Sequence, residues 1–371
     1  MTSKTPVPPA DASDLETIRA LFDGGRLTQA RQFAGMLKAD LAERVHLSPA
    51  AIGQFEAGVT KPTEATIGRL ALALGVPAAF FGADRPRYIL TEDEVHFRSL
   101  RSTSKRDRAK ARVQVELLAQ LVGTLERQVR LPKVDLPVLD QDASPSDAAR
   151  AVRLTWDLGE GPIGDVVGLL ERHGVIVARL SAATDELDAF SCWIGERPFV
   201  VLVANKDAAD RSRFDAAHEL AHLLLHHDAQ PGDPELERAA HSFAAEFLAP
   251  SASILPMLPA RVDWRRLAEL KFSWGVSMAM LLRRMRDLGR ISDASYRRGM
   301  IEMGKLRWRT NEPVALGQPE QPELLSRAVQ LLARERGYGL PELASDLALR
   351  PETLKGFVVA LDASARPDLA V

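Results

Sequence analysis

Apolar positions between Arg26 and Phe81 recur in short helical groups: LTQARQFAG, LKADLAERV, PAAIGQFEAG, EATIGRLALALG and PAAFFG. Their spacing predicts five short helices with tight connectors. Gly35, Gly58 and Gly75 fall where helix C-caps are expected, and Ser48-Pro49 supplies an N-cap followed by proline at the first helical position. From Ser104 to Arg130 the pattern predicts one long helix, with Val113, Leu117, Leu121, Leu125 and Val129 in steps of four along one face. A Pro- and Asp-rich linker (131–146) follows. Beyond it, helices are expected over 147–158 and 163–173. The β-branched runs GVIVARL, DAFSCWIG and PFVVLVA read as strands. Helices are expected again over 211–227, 235–248 and 262–290, the last broken by one glycine. After a second linker at 310–322, three short helices close the chain, and no internal repeat of fixed period is read.

The expected architecture is multidomain, mainly α with a small β-sheet. Its parts are a lead-in (1–20), a five-helix domain (21–84), a connecting segment with the long helix (85–135), an α+β domain (136–310) and a helical C-terminal segment (311–371). Within that last segment ELASDLALRPETLKGFV has a helix-turn-helix rhythm; with only Arg350 and Lys355 as cations it is read as a packing or dimer element.

Composition narrows the function classes. Of 371 residues 46% are hydrophobic and 26% charged, which excludes global disorder. A single cysteine, Cys192, excludes an internal disulfide and a Cys-rich metal framework, and fits a reducing compartment. No apolar stretch reaches the ~18–20 residues of a membrane span, and the start lacks a signal-peptide core, so a cytoplasmic protein is expected. The net charge of −2 hides an asymmetry: residues 1–135 carry 20 basic and 16 acidic residues, hence +4, leaving −6 for the remainder. Arg98 to Arg112 holds seven basic residues and one acid, Asp107. A solvated helix face is the plain reading of that run, and a phosphate-contacting patch the sharper one.

Lys38–Val45, the turn His46-Leu47 and Ser48–Gly58 have the layout of a helix-turn-helix, with Leu41, Ala42, Val45, Ile52 and Phe55 as the apolar seam. Ser48 and Gln54 are polar groups on the second helix, and glutamine can pair with adenine in bidentate fashion. Residues 26–81, with Glu56, Gly58 and Lys61-Pro62, resemble the XRE/lambda-repressor-like DNA-binding domain. Where that family often has Thr-Gln at the start of the positioning helix, this chain has Leu37-Lys38. The resemblance implies a double-stranded DNA operator, with Lys38, Ser48, Gln54 and Lys61 as contact candidates. A homodimer supplies a second half-site, with the 104–130 helix as a candidate arm.

The second constellation is His218-Glu219-Leu220-Ala221-His222. Histidines four apart lie on one helix face, separated by about 40° of rotation, so both imidazoles can ligate one ion. Glu219 beside the first can hold a water and accept its proton as general base. For a third ligand, Glu237 and Glu246 compete. Nine residues, about 900° of helix rotation, set them on opposite sides. Glu237 shares its face with Ala240, His241, Ala244 and Leu248, a small apolar surface that can pack on the HELAH helix. Glu246 sits with Glu235 and Ser242 on a side read as solvated, and is kept as the alternative. His241 is expected to orient an imidazole or carboxylate, or to serve as a ligand itself. His226 and His227 read as partners of a helix C-terminus.

RFDAAHELAHLLLH followed by ELERAAHSFAAEFLAP resembles the ImmA/IrrE family of zinc metallopeptidases, and the likeness extends over roughly residues 90–315. It implies a zincin-like fold, a zinc ion, and cleavage of XRE-type repressors or antitoxins in response to phage, mobile-element or DNA-damage signals, with single-stranded DNA as a candidate trigger. The last predicted strand, PFVVLVA, would lie beside the active-site helix, with a substrate adding to its edge. The alternative is a transcription factor whose peptidase-like domain senses a ligand or metal with little proteolysis.

Overall fold

A computed structural model describes residues 12–84, 90, 96–97, 104–140, 142–180, 189–203, 208–225, 233–309 and 311–358. His226, His227, Arg98 and Arg101 lie outside them. The elements run α1 (Ala12–Leu21), α2 (Gly24–Phe33), α3 (Lys38–Arg44), α4 (Pro49–Glu56), α5 (Glu64–Leu74), a 3-10 turn (Ala78–Gly82), β1 (His96–Phe97), α6 (Lys105–Glu126), α7 (Pro145–Thr155) and α8 (Val166–Arg172). After them come β2 (Ile176–Leu180), β3 (Phe190–Ile194), β4 (Arg197–Val203), α9 (Ala209–Leu225), α10 (Pro234–Leu248), α11 (Ser251–Ile254), α12 (Trp264–Trp274), α13 (Met278–Asp287) and α14 (Asp293–Lys305). The last three are α15 (Leu324–Arg336), α16 (Leu340–Asp346) and α17 (Pro351–Phe357).

Two compact units result. One comprises Met1–Glu92, Thr103–Arg130 and Arg327–Leu361, the other Asp93–Ser102, Leu131–Ser326 and Asp362–Val371. These differ from the spans expected from sequence in an instructive way: the C-terminal helices join the first unit, and the second linker belongs to the second.

In the first unit the expected lead-in already contains α1, whose Ile18 is buried. Leu27, Leu41, Ile52, Ile67, Leu70 and Phe81 are fully buried among α2–α5 and the 3-10 turn. The long helix is no projecting arm. Val115, Leu118, Leu121 and Leu125 of α6 are buried within this unit, and Glu116 accepts from the Gln29 amide at 2.9 Å while Arg112 donates to Gln32 at 2.9 Å. Arg112 therefore serves packing with α2 rather than a solvated basic face.

The second unit is built on a four-stranded sheet of order β1-β3-β4-β2. β3 and β4 form an antiparallel hairpin through Gly195 (φ 58°), a left-handed position that suits glycine. β2 pairs with β4 in parallel, from Ile176↔Phe199 to Leu180↔Val203. The short β1 adds antiparallel to β3. α9 lies against β3 and β4, and α10 packs on α9 across Ala217, Ala221, Ala240 and Ala244, small residues that let the helices approach closely. Phe243, Phe247, Val200 and Leu202 fill the adjoining core.

The 311–322 stretch is a strap held by carboxylates at helix N-termini, where unpaired amides gather. Glu312 accepts from Met278 and Ala279 at the start of α13, at 2.8 and 3.0 Å, and Glu320 from Val166 and Val167 at the start of α8, at 2.9 and 3.0 Å. Lys271 bonds both Glu312 and Asp210, at 2.7 and 2.6 Å, and Arg213 pairs with Glu320. In return, Glu171 of α8 accepts from Glu323 and Leu324 at the start of α15, both at 3.0 Å.

Burial pushes the Glu171 carboxyl up to about 7, more than its two backbone donors offset. The native chain then binds more protons than the unfolded one between the ordinary value of 4.5 and about 7. Stability from this group is full below that window and is lost as pH rises through about 7. Glu171→Gln is expected to flatten the fall in urea midpoint between pH 5 and 7. Parallel wild-type and variant curves would assign the fall to other groups.

Candidate functional site

His218 and His222 sit one turn apart on α9 and are both buried, at 0% and 5% exposure. Their Nε2 atoms lie 3.1 Å apart. From α10, the Glu237 carboxylate meets both rings, Oε2 to His218 Nε2 at 3.3 Å and Oε1 to His222 Nε2 at 3.5 Å. One donor atom from each residue falls within 4.8 Å of the others, the one such group among the described residues. Two nitrogens each ~2.0 Å from a tetrahedral zinc would be about 3.3 Å apart, so the donor set and its spacing fit zinc. Burial alone would push the Glu237 carboxyl up, but the two imidazoles hold it well below the usual carboxylate range.

Glu219, buried beside them, turns toward the sheet. The Ser191 hydroxyl of β3 donates to Glu219 Oε2 at 2.7 Å. Sequence reasoning missed Ser191. Its only signal was its place in the DAFSCW strand, and nothing local says which helical residue a strand position will face. The His241 ring of α10 stands 4.9 Å from that of His218 and 5.3 Å from Phe214, edge-on to the first. It packs on a donor residue and is not in the three-donor group. A cavity of about 830 Å³ adjoins it, bordered by Phe214, Arg211, Arg238, Arg283 and Tyr296.

Glu246 corrects an expectation. It is 2% exposed rather than solvated, although Glu235 and Ser242 on its side are exposed. Arg284 pairs with its carboxylate, Ser251 donates to it through both N–H (3.1 Å) and hydroxyl (2.9 Å), and Arg150 reaches it at 3.2 Å. Burial alone would push its carboxyl up, but Arg284 and the N–H and hydroxyl of Ser251 hold it below the ordinary carboxylate value. A carboxylate so engaged is a structural anchor, on the opposite side of α10 from Glu237.

In the first unit, α3 and α4 meet at a turn where His46 takes φ 55° and the Leu47 N–H donates to the Ala42 carbonyl at 2.9 Å. Ser48 caps α4, accepting from Ala51 N–H at 3.2 Å, and Gln54 is exposed on that helix. The Lys38 ammonium lies 3.1 Å from Glu56, which Arg31 also binds at 2.5 Å. Lys61 donates to the Ala20 carbonyl at the end of α1. Both lysines thus have protein partners, while Ser48 and Gln54 stand on the outward helix.

Residues 27–81 match the family model described as helix-turn-helix, and residues 170–286 match the one described as IrrE N-terminal-like domain, of a peptidase family. The chain thus joins a segment of the helix-turn-helix family to an IrrE-like segment. No curated protein matches it. The helix-turn-helix match supports binding to double-stranded DNA, and the IrrE-like match a metallopeptidase-like domain. That IrrE-like segment contains the two histidines, Glu219, Ser191 and Glu237. No helix among the described residues is long and apolar enough to cross a membrane.

One further expectation changes. β4 does not offer an edge, because β3 and β2 flank it on both sides. β3, whose Ser191 meets Glu219, is flanked as well, since β1 covers its outer side through His96↔Ser191 and Phe97↔Phe190.

Proposed function

We propose that this protein is a cytoplasmic DNA-binding regulator whose IrrE-like domain is a zinc-dependent endopeptidase of the HExxH type. It would cut itself, an XRE-type repressor or an antitoxin during a stress, phage or mobile-element response. The observation that carries the reading is the convergence of two buried imidazoles and the Glu237 carboxylate beside a glutamate held by Ser191. His218, His222 and Glu237 would hold the ion, which when bound polarises a scissile carbonyl and makes water a stronger nucleophile. Glu219 takes up the proton of the attacking water and returns it to the departing amine. Ser191 is the positioning residue, fixing the carboxylate rotamer from the sheet side. An extended peptide pairing with β3 must displace β1 or continue beyond it along the same side.

The test uses the full chain loaded with zinc, incubated alone or with an XRE-domain repressor, with and without single-stranded DNA. Glu219→Gln is expected to keep one zinc per chain and lower cleavage about 10²–10⁴-fold. Ser191→Ala is expected to keep zinc and KM and to lower kcat roughly tenfold, the scale of losing a hydrogen bond to a charged group. Cleavage unchanged by Glu219→Gln would remove the endopeptidase reading.

A second reading is favoured by the arginine-bordered cavity beside His241. There the domain senses a ligand, and zinc is structural. Stoichiometric zinc with no cleavage of any XRE-domain protein would support it.

A further inference from the structure

The C-terminal helices are a second copy of the N-terminal helix-turn-helix. A constant separation of 302 residues, as from Leu41 to Leu343, superposes the two sequences without a gap. Under it α3 maps onto α16 and α4 onto α17, with both starts coinciding, and α2 falls within α15. The buried seam recurs: Leu27 as Val329, Ala30 as Leu332, Leu41 and Ala42 as Leu343 and Ala344, Ile52 as Leu354. Backbone features that sequence does not display recur as well. Gly35 and Gly337 take φ 63° and 62°, and His46 and Ala348, both in the left-handed region unusual for such residues, take 55° and 49°. The turn bond from Leu47 N–H to Ala42 (2.9 Å) returns as Leu349 N–H to Ala344 (2.8 Å). Asp40 accepts from the Leu37 N–H at 2.9 Å, and Glu342 from the Gly339 N–H at 2.8 Å. Proline opens both second helices, at Pro49 and Pro351.

The outward faces decide the use. A packing or dimer element would turn apolar groups outward, yet α16 and α17 expose Ser345, Asp346, Glu352 and Lys355, with Thr353 half-buried. Glutamate accepts from the cytosine amino group, lysine donates to guanine, and threonine serves either role. The first copy shows Ala50, Ala51 and Gly53 at the positions of Glu352, Thr353 and Lys355, while its Gln54 falls on Gly356, so the two copies carry reading chemistry at different positions of the same helix. Both copies belong to one compact unit.

We infer that α15–α17 form a second double-stranded-DNA-reading motif, with α17 as its reading helix through Glu352, Thr353 and Lys355. The inference rests on the reading of residues 26–81 as DNA-binding. It is tested with the full-length protein: duplexes are enriched from a randomised pool, and the enriched duplex is footprinted. Two blocks of protected bases are expected. Lys355→Glu should erase one block, weaken binding roughly tenfold and lower the salt slope by more than one, while Gln54→Ala should alter only the other block. Lys355 is exposed, so the variant's far-UV circular dichroism should be unchanged, and Thr353→Ala gives a charge-neutral check on the same block. A single block indifferent to Lys355→Glu and Thr353→Ala overturns the second motif alone. Absence of any protected block would overturn the N-terminal reading with it, and a change of oligomeric state in Lys355→Glu without a change of footprint would reassign α17 to protein contact.

Discussion

Glu237→Ala is expected to lower zinc affinity by at least about 100-fold and to yield purified protein with little metal. Glu246→Ala, nine positions later on the same helix, should retain one zinc per chain and lose stability instead. The two carboxylates occupy opposite sides of α10: one within 3.5 Å of both imidazoles, the other paired with Arg284. Removing one of three protein ligands leaves two imidazoles, an arrangement that holds zinc weakly, and the loss exceeds the ~10–100-fold typical of residues that only orient a ligand. Removing Glu246 strands Arg284, 5% exposed, without its carboxylate, a change that costs about 3–5 kcal/mol for a buried pair. Metal analysis and a urea melt on the two variants separate the roles. Loss of zinc in Glu246→Ala with retention in Glu237→Ala would reverse the assignment.

Gly24→Ala should be the most damaging small substitution in the DNA-binding unit. A Cβ there would lie 2.2 Å from the Phe55 carbonyl oxygen and 2.4 Å from that of Glu56. Both are backbone atoms at the end of α4, so the clash is relieved only by moving α4 away from α2. We expect about 3 kcal/mol of destabilisation or more, and loss of specific DNA binding with zinc content unchanged. Gly68→Ala supplies the contrast: in α5, with nothing within 4 Å of its added Cβ, it should stabilise by about 0.5–1 kcal/mol. Calorimetry and a gel-shift titration check both. Normal DNA affinity in Gly24→Ala would show that α2 and α4 are not rigidly docked.

What could be read from sequence followed the range of the interaction. The grouping of His218, His222 and Glu237 was legible because helix periodicity relates residues within one helix, and the small face around Ala240 and Ala244 indicated how the second helix would pack. Ser191 was not legible, since it reaches Glu219 through strand placement, 28 residues away in sequence. Glu246 was misjudged for the same reason: its burial depends on Arg284, 38 residues later. The C-terminal rhythm was legible but the repeat was not: Leu41 and Ala42 recur unchanged as Leu343 and Ala344, while Leu27 becomes Val329 and Ile52 becomes Leu354, and the sharpest shared marks are dihedral angles. β1 was invisible for want of length, two residues having no period.

The strap from Glu312 to Leu324 decides where the protein can be dissected. Cutting the chain at the apparent linker near residue 310 would leave four amides, of Val166, Val167, Met278 and Ala279, without the carboxylates that receive them. Arg213 would lose its anion as well. A fragment meant to isolate the second unit should therefore run through Ser326, and one ending sooner should be recovered in low yield whatever the state of its histidines.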